Sequence, residues 1–355
     1  MRKHFIDNIR IICILLLFPF HTCMMYNNWG ELFYVTGTPN FWASNFVTVV
    51  YPWWMTLLFT LAGISSFYAL DKRSAKEYER ERIHKLLIPF LSGLVLIVPV
   101  QSYIADVFHN GYTGGYLKHL IVFFTRITDL YGSDGGFTPG HLWFILYLYL
   151  ISMVMVPVMS RYKKAERKIN TEKITMAVLL PMFLIILISK PILEIGGKSI
   201  GESLACFAIG FFLLSSEQVQ KRLEKNRLLL TVLFLAAIAG RLILASVGQT
   251  EGIIWDFEQV MVTWFGILAI LGMGKRYLNR SNGVTAYFSK AAFPLYYFHQ
   301  SLLVILAYFC VRYIQPMWGQ FLVIMTGTFV LSILCYEICR RWTVTSFLFG
   351  IKHQK

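Results

Sequence analysis

Long apolar stretches recur along the whole chain and determine what it can fold into. Of the 355 residues, 56% are hydrophobic and 15% are charged, whereas about 25% of residues are charged in soluble domains. A helix of about 20 residues covers the roughly 30 Å of a bilayer's hydrocarbon core. We therefore predict an all-α integral membrane protein that forms a single domain over residues 1–355. The predicted transmembrane helices, about ten in number, centre on residues 10–27, 46–70, 86–107, 141–160, 174–190, 200–215, 228–247, 254–274, 287–312 and 318–340.

Basic residues cluster in alternate loops between the predicted helices. With the N-terminus placed in the cytoplasm, 26 of the 33 lysines and arginines fall in cytoplasmic segments and 5 in outer segments. Cytoplasmic loops of membrane proteins carry such an excess of Lys and Arg. The distribution predicts that both termini are cytoplasmic. It also accounts for the net charge of +14 without a nucleic-acid partner, and the partner that we expect around the helices is membrane lipid.

The first predicted helix carries ionisable side chains inside an apolar segment. The stretch IDNIRIICILLLFPFHTCMMY contains Asp7, Arg10 and His21. Arg10 and His21 are eleven positions apart, which in an α-helix is three turns plus about 20°, so they share one face about 16 Å apart. Ionisable groups in a span are costly and usually face a cavity or a substrate path. A neutral imidazole can accept a proton near neutral pH, which predicts a general base for a hydroxyl nucleophile.

Five motifs stand in order along the chain. The first is the aspartate followed by R-x10-H in the first helix. The other stretches are LFTLAGISSFYAL at 58–70, RERIHKLLIPF at 80–90, GHLWFILYLYL at 140–150, and the late helices LGMGKRYLN and SKAAFPLYYFHQSLLV at 271–279 and 289–304. Together they resemble the membrane acyltransferase-3 family and its glucan biosynthesis protein C-like branch, over nearly the whole chain. The sequence departs from the family's motifs where Ala62-Gly63 replaces Ser-Gly in the second helix and where Lys85 stands in place of the usual second arginine.

The resemblance implies an acyl-CoA-dependent O-acyltransferase in the bacterial cytoplasmic membrane. Such an enzyme moves an acyl group, acetyl or succinyl, from cytoplasmic acyl-CoA to a hydroxyl of an extracytoplasmic carbohydrate or glycolipid. Acyl-CoA is then a co-substrate, and no permanently bound cofactor or metal is expected. The catalytic set is His21, Arg10 and Asp7, with His21 as the base. Arg10, at the predicted cytoplasmic edge, binds a phosphate of CoA or shapes the entry of its pantetheine arm. Whether His21 instead carries the acyl group, and whether the protein is a homodimer, stays open.

The basic segment before the third predicted helix is the candidate donor site. Arg73, Arg80, Arg82 and Lys85 are suited to the phosphates of CoA. Arg82 and Lys85 are three residues apart and share a face if the helix begins early. The alternative is a loop whose positive charge only sets topology.

Residues near the predicted outer ends of later helices are candidates for binding the acceptor. His141 and Trp143 open the fourth helix after a long loop, and loops of that length are often functional. Glu258, near the outer start of the eighth helix, and His299, which matches a family position within the ninth, complete the set. For His299 a structural hydrogen bond is the open alternative. Trp143 is equally typical of an interfacial aromatic belt, and Glu258 is the natural partner for Arg241, a charge within the seventh helix.

Two alternatives stay open. The acyl acceptor is a lipid, a peptide or a small molecule instead of a sugar, or the protein is a transporter of polysaccharide or lipid. Transporters often contain inverted repeats and matched broken helices, and the sequence shows neither. A requirement for acyl-CoA and for His21 would favour the enzyme.

Overall fold

The computed structural model describes residues 3–30, 32–128, 130–166, 169–195 and 197–351, and these form helices almost throughout. The helices are α1 His4–Leu15, α2 Leu17–Met24, α3 Phe41–Ala69, α4 Ala75–Arg82, α5 Ile88–Leu96, α6 Val98–His109, α7 Tyr116–Thr125, α8 Trp143–Lys164, α9 Met176–Leu179, α10 Phe183–Ser189, α11 Ile200–Ile209, α12 Glu217–Lys225, α13 Arg227–Ser246, α14 Ile253–Tyr277, α15 Gly283–Tyr313, α16 Met317–Cys339 and α17 Thr343–Leu348. Two-residue strands β1 Glu194–Ile195 and β2 Lys198–Ser199 pair antiparallel. The predicted all-α class is confirmed.

The described residues contain eight or nine candidate membrane spans, whereas the sequence predicted about ten helices. Among the described residues, eight helices are long and apolar enough to cross a bilayer: His4–Met24, Phe41–Ala69, Ala75–His109, Gly140–Lys164, Arg227–Ser246, Ile253–Tyr277, Gly283–Tyr313 and Met317–Cys339. A ninth is possible if Ile200–Leu214 and Glu217–Lys225, which meet at 97°, count as one span. The fifth predicted helix is the shorter Met176–Ser189. The chain is thus a multi-pass membrane protein, and its orientation stays a prediction.

Breaks in the long helices have local causes. Leu16 separates α1 from α2. Between α4 and α5 the chain makes a π-helical turn over Ile83–Leu87. Ile97 separates α5 from α6, and Pro99 follows at the second position of α6. Proline has no N–H to donate and is tolerated mainly in the first turn of a helix.

The chain folds into two compact units, each made of three separate segments. Unit 1 contains residues 1–13, 48–82 and 147–289, and unit 2 contains residues 14–47, 83–146 and 290–355. Whether the chain acts as one domain over 1–355 stays a prediction. Of the two candidate-site clusters described below, one lies in unit 1 and the other in unit 2.

Unit 1 is built around α14, which packs against α10, α12 and α13. Its fully buried side chains are large, and they include Phe59, Tyr78, Phe207, Phe211 and Trp264. Apolar residues on α13 point away from this core, for example Leu228, Val232 and Ile243, which are 62–63% exposed. Exposed apolar rows of this kind suit contact with lipid chains.

Two glycines in unit 1 allow α3 to approach α11 closely. A Cβ added at Gly63 would collide with the backbone oxygen of Phe207, and one at Gly210 would collide with the backbone oxygen of Thr60. Small residues at helix contacts let backbones approach in this way. The Ala62-Gly63 pair of the second-helix motif therefore has a packing reason.

Replacing Gly63 with alanine is expected to destabilise the protein by about 3 kcal/mol, the upper end for overpacking, because the obstacle is backbone and cannot rotate away. Thermal denaturation of the purified protein in detergent, followed by gel filtration, measures the effect. Gly283→Ala is the matched control, since a Cβ there meets nothing within 4 Å. Equal melting temperatures for both variants would contradict the packing argument.

Unit 2 places α2 against α16, and α5 against α6 and α17. Leu17, Met25, Tyr26, Phe123 and Tyr297 are among its fully buried side chains. Tyr26 donates from its hydroxyl to Oε1 of Gln320 at 3.1 Å. This packing holds α2, the start of α8 and most of α15 within one unit, and these elements lie at or next to His21, His141 and His299.

Candidate active site

Three histidines from distant parts of the sequence meet inside unit 2. His21 lies on α2, His141 in the turn Gly140–Leu142 before α8, and His299 on α15. The ring centroids of His21 and His299 are 5.0 Å apart, and those of His141 and His299 are 5.1 Å apart. His299 is 0% exposed and His141 is 5% exposed, while His21 is half-buried. The structure thus brings together a predicted catalytic residue and two predicted acceptor-binding residues.

The rings of His21 and His299 are joined by a hydrogen bond. Nε2 of His299 lies 3.1 Å from Nδ1 of His21. Nδ1 of His299 lies 2.6 Å from the backbone oxygen of Tyr296. Both nitrogens of His299 are therefore engaged with protein groups, so an acceptor can bind a ring nitrogen there only if one of these bonds opens.

His141 is held by a second set of partners. Its Nε2 lies 2.9 Å from the backbone oxygen of Tyr297, and its Nδ1 lies 3.2 Å from Nε2 of Gln101. The Gln101 amide also donates to Oγ of Ser301 at 2.7 Å. Since a carbonyl only accepts, His141 carries its hydrogen on Nε2 and accepts at Nδ1. The side-chain oxygen of Gln101 is buried without a hydrogen-bond partner.

The backbone turn before α8 explains how His141 reaches this cluster. Gly140 has φ +53°, and a Cβ there would lie 3.2 Å from Oε1 of Gln101. Glycine adopts this left-handed conformation without steric cost. Gly140 therefore allows the backbone turn that places the next residue, His141, in the cluster.

Aromatic side chains surround the histidines. The ring of Phe18 is edge-on to that of His299, with 5.9 Å between their centroids. The ring of Phe33 stacks on that of His21, with 6.3 Å between their centroids. In such surroundings an ionised group is costly unless it is hydrogen-bonded. The cluster is thus suited to accept a proton briefly and then release it.

Unit 1 contains a separate cluster of two arginines. Arg10 pairs with Asp7 at 3.1 Å and donates to Oγ of Ser65 at 2.8 Å. Arg82 donates to Oγ of the neighbouring Ser66 at 3.1 Å. The guanidinium of Arg82 lies 4.6 Å from the ring centre of Tyr78, whose hydroxyl is 2.8 Å from the same serine oxygen. Two guanidinium groups on adjacent serines form a donor-rich site that suits a phosphate.

The other residues of the predicted donor site are more exposed. Arg73 and Arg80 lie on the surface of unit 1, and Arg73 pairs with Glu81. Lys85 is exposed and lies in the π-helical turn. The spacing argument that placed Arg82 and Lys85 on one face assumes a continuous α-helix, and this assumption fails at residue 83. In the structure Arg82 and Arg10 instead donate to the adjacent serines Ser66 and Ser65. The sequence assigned both arginines to the donor, but it did not predict that they share this serine pair.

Two further predicted acceptor residues lie apart in the fold. Trp143 is half-buried at the first position of α8, with its ring centroid 6.3 Å from that of Phe144. Glu258 lies on α14 in unit 1, and so it is not in the unit that holds the histidines. Their role in binding an acceptor stays a prediction.

Arg241 does not form the ion pair that its position in the sequence suggested. No carboxylate oxygen of the described residues lies within ion-pair distance of it. Its guanidinium lies 3.6 Å from the ring centre of Trp255, and its Nε donates to the backbone oxygen of Thr48 at 3.2 Å. A cation–π contact and a carbonyl therefore stabilise this charge directly, and Glu258 acts on it through its charge without a direct ion pair.

The long loop before α8 is tied to α6 by a buried carboxylate. Asp106 is 1% exposed and accepts hydrogen bonds from both terminal nitrogens of Arg126 at 3.2 Å. Nε2 of His119 lies 3.2 Å from Oδ2 of Asp106. Burial lowers the pKa of His119, although the charge of Asp106 acts in the opposite direction. These contacts hold α7 and α6 together within unit 2.

In the part of the chain that the structure describes, no group of three or more His, Cys, Asp or Glu side chains is placed to hold a metal ion.

Several site residues were missed from the sequence. Ser65 and Ser66 stand in a quoted motif, but serine is too common in spans to be singled out. Tyr296 and Tyr297 act through backbone oxygens, which residue type does not reveal. Gln101 carried a usable signal, since a buried amide inside an apolar stretch needs a partner.

Comparison with known proteins agrees with the resemblance seen in the motifs. Glucans biosynthesis protein C of Shigella dysenteriae serotype 1 (strain Sd197) is 23% identical over 374 residues, which covers 99% of this chain and 95% of that protein. The protein of the same name from Escherichia coli O6:K15:H31 is 23% identical over 376 residues, with the same coverage. The one from Escherichia coli O1:K1 / APEC is 24% identical over 379 residues, also at 99% and 95%. No solved structure matches the chain significantly.

The family assignment rests on nearly the full length. The model of the acyltransferase domain family matches residues 3–337, and this range includes both the histidine cluster and the arginine cluster. With its candidate membrane spans, the chain therefore belongs to the acyltransferase-3 family of membrane proteins.

Proposed function

We propose that the protein transfers an acetyl or succinyl group from cytoplasmic acyl-CoA to a hydroxyl of an extracytoplasmic carbohydrate or glycolipid, with His21 as the general base. The observation that carries the proposal is the 3.1 Å bond between the rings of His21 and His299. An imidazole oriented by a partner is what proton transfer from a hydroxyl requires. The name of the relatives, which refers to glucan biosynthesis, supports a carbohydrate acceptor.

The proposed reaction exchanges one bond to the acyl carbon for another. The acceptor oxygen bonds to the acyl carbon while its proton passes to His21. The carbon–sulfur bond of the thioester breaks, and its electron pair stays on sulfur. The imidazolium then gives the proton to the thiolate, so the products are an ester and the free thiol of CoA. His21 ends the cycle neutral.

The donor's phosphates are assigned to the arginine cluster of unit 1. Arg10 and Arg82 present fixed guanidinium forks, which match phosphate oxygens better than an ammonium group does. Asp7 orients Arg10 through their ion pair. Arg73, Arg80 and Lys85 add positive charge on the predicted cytoplasmic side.

Acyl-CoA is expected to stabilise the purified protein against heat. A ligand at 100 times its Kd adds about 2.7 kcal/mol to the free energy of unfolding. The measurement compares acetyl-CoA, succinyl-CoA and longer thioesters with CoA that lacks the 3′-phosphate. A clear shift that ranks the acyl groups would identify the donor, and equal melting temperatures with every CoA species would contradict the donor assignment.

Transfer itself is tested with radiolabelled acyl-CoA and a glucan oligosaccharide in proteoliposomes. We expect label in the oligosaccharide, in a bond that mild alkali cleaves, together with an equal amount of free CoA thiol. Parallel reactions with lipid or peptide acceptors address the alternatives within the family. Transport of the oligosaccharide across the vesicle membrane in the absence of acyl-CoA would instead support a transporter.

A further inference from the structure

We infer that His299 is a positioning residue that holds His21 in the tautomer required of a general base, an inference that rests on the proposed function of His21. The resemblance had placed His299 among the acceptor-binding residues. Its two hydrogen bonds give it a different task. Each bond has a direction that can be worked out from the partner.

The first bond determines which nitrogen of His299 carries the hydrogen. Nδ1 faces the backbone oxygen of Tyr296 at 2.6 Å. A carbonyl oxygen only accepts, so Nδ1 is the donor. The ring is 0% exposed, and its partners among the described residues are a carbonyl, two imidazoles and aromatic rings. Burial without a carboxylate favours the neutral ring, and Nε2 then holds the lone pair.

The second bond transmits this choice to His21. Nε2 of His299, now an acceptor, lies 3.1 Å from Nδ1 of His21. Nδ1 of His21 must therefore carry a hydrogen. In a neutral imidazole the lone pair then lies on the other nitrogen, Nε2. This is the nitrogen that takes the proton of the acceptor hydroxyl.

A neutral partner suits this position better than a carboxylate would. In serine hydrolases a buried aspartate fixes the tautomer of the catalytic histidine. Here the rings sit among Phe18, Phe33 and His141, where a buried carboxylate would be costly whenever His21 is neutral. When His21 gains a proton, its bond to His299 becomes charge-assisted and stronger. His299 thus supports the cation only during proton transfer.

Nitrogen-15 NMR of the full-length protein, labelled at histidine and without substrate, measures the tautomer directly. His21→Gln assigns the resonances of His21. In the native protein we expect a protonated Nδ1 and an unprotonated Nε2 at His21. His299→Phe keeps an aromatic ring but has no acceptor, so this pattern should be lost. His299→Gln offers a side-chain oxygen to Nδ1 and should keep the pattern.

Kinetics provide the second readout. In His299→Phe we expect kcat to fall about 100-fold, the upper range for loss of an orienting partner, while KM for the donor stays unchanged. His299→Gln should recover most of this loss. A purely structural role would instead lower the yield of folded protein for both variants and leave the tautomer of the folded fraction unchanged.

The outcomes separate this inference from the proposed function. A hydrogen on Nε2 of His21 in the native protein would overturn the inference, whether or not the variants fold. So would native kcat in His299→Phe. If the native tautomer is as expected but His21→Ala still transfers acyl groups, the proposed base is wrong, and the assignment of the hydrogen bond stands.

Discussion

Replacing His21 with alanine is expected to lower the rate of acyl transfer by about 10²–10⁴-fold, the usual range for loss of a general base. The variant removes the nitrogen that takes the proton, and it leaves Nε2 of His299 without its hydrogen bond to His21. The affinity for acyl-CoA should not change, because the arginine cluster is untouched. Labelled product and thermal stabilisation by acyl-CoA, measured on the same preparation, separate the two effects.

His84→Ala is the matched control for that substitution. His84 also contacts an aromatic ring in unit 2, that of Phe347 at 5.8 Å, but it lies outside the histidine cluster. We expect its turnover to be close to native. Full turnover in the folded His21→Ala variant would exclude His21 as the base, and a loss of stabilisation by acyl-CoA would point to a role in binding.

The double variant Arg82→Ala, Lys85→Ala is expected to weaken acyl-CoA binding by about 10–150-fold at low ionic strength. This range corresponds to the 1.5–3 kcal/mol of one hydrogen bond to a charged group. Most of the loss should come from Arg82, whose fork is held by Ser66. Because salt screens exposed charges, the difference between variant and native protein should shrink as ionic strength rises. Titration of the thermal shift with acyl-CoA at two salt concentrations gives the values.

A control for net charge is available in another basic loop. Arg161→Ala with Lys164→Ala removes the same two charges from the end of α8. We expect native affinity in that variant. Unchanged affinity in the Arg82 and Lys85 variant would mean that the segment only sets topology, and equal losses in both would mean a general electrostatic effect instead of a site.

Hydropathy predicted the long helices of this fold well, and it predicted their interruptions poorly. About 20 apolar residues have few stable arrangements in lipid other than a crossing helix, so eight candidate spans follow from pattern alone. The stretch 174–190 was apolar enough, but its helix is only Met176–Ser189. The 97° bend after Leu214 was invisible for a similar reason. Hydropathy averaged along a sequence does not report the direction of the helix axis. The close contact of Gly210 with Thr60 depends on the tertiary fold.

The candidate site was predicted where a side chain was out of place in its surroundings. Arg10 and His21 stood out as ionisable groups in an apolar helix. The convergence of His21 with His299 was not predicted, because no local pattern links residues so far apart in the chain. Arg241 shows the opposite error. A buried charge needs a partner, but the sequence cannot say whether that partner is Glu258 or the face of Trp255.

The division of each unit into separate segments has a consequence for synthesis. All three segments of unit 1 precede residue 290, whereas unit 2 needs the segment that begins there. His21 is made 278 residues before His299, a delay of about 14–56 s at typical rates of translation. During most of its insertion, the nascent chain therefore contains His21 without the hydrogen bond to His299. Chains that terminate just before residue 290 contain the residues of unit 1 but lack the third segment of unit 2, including His299. We expect such truncated chains to have no acyltransferase activity.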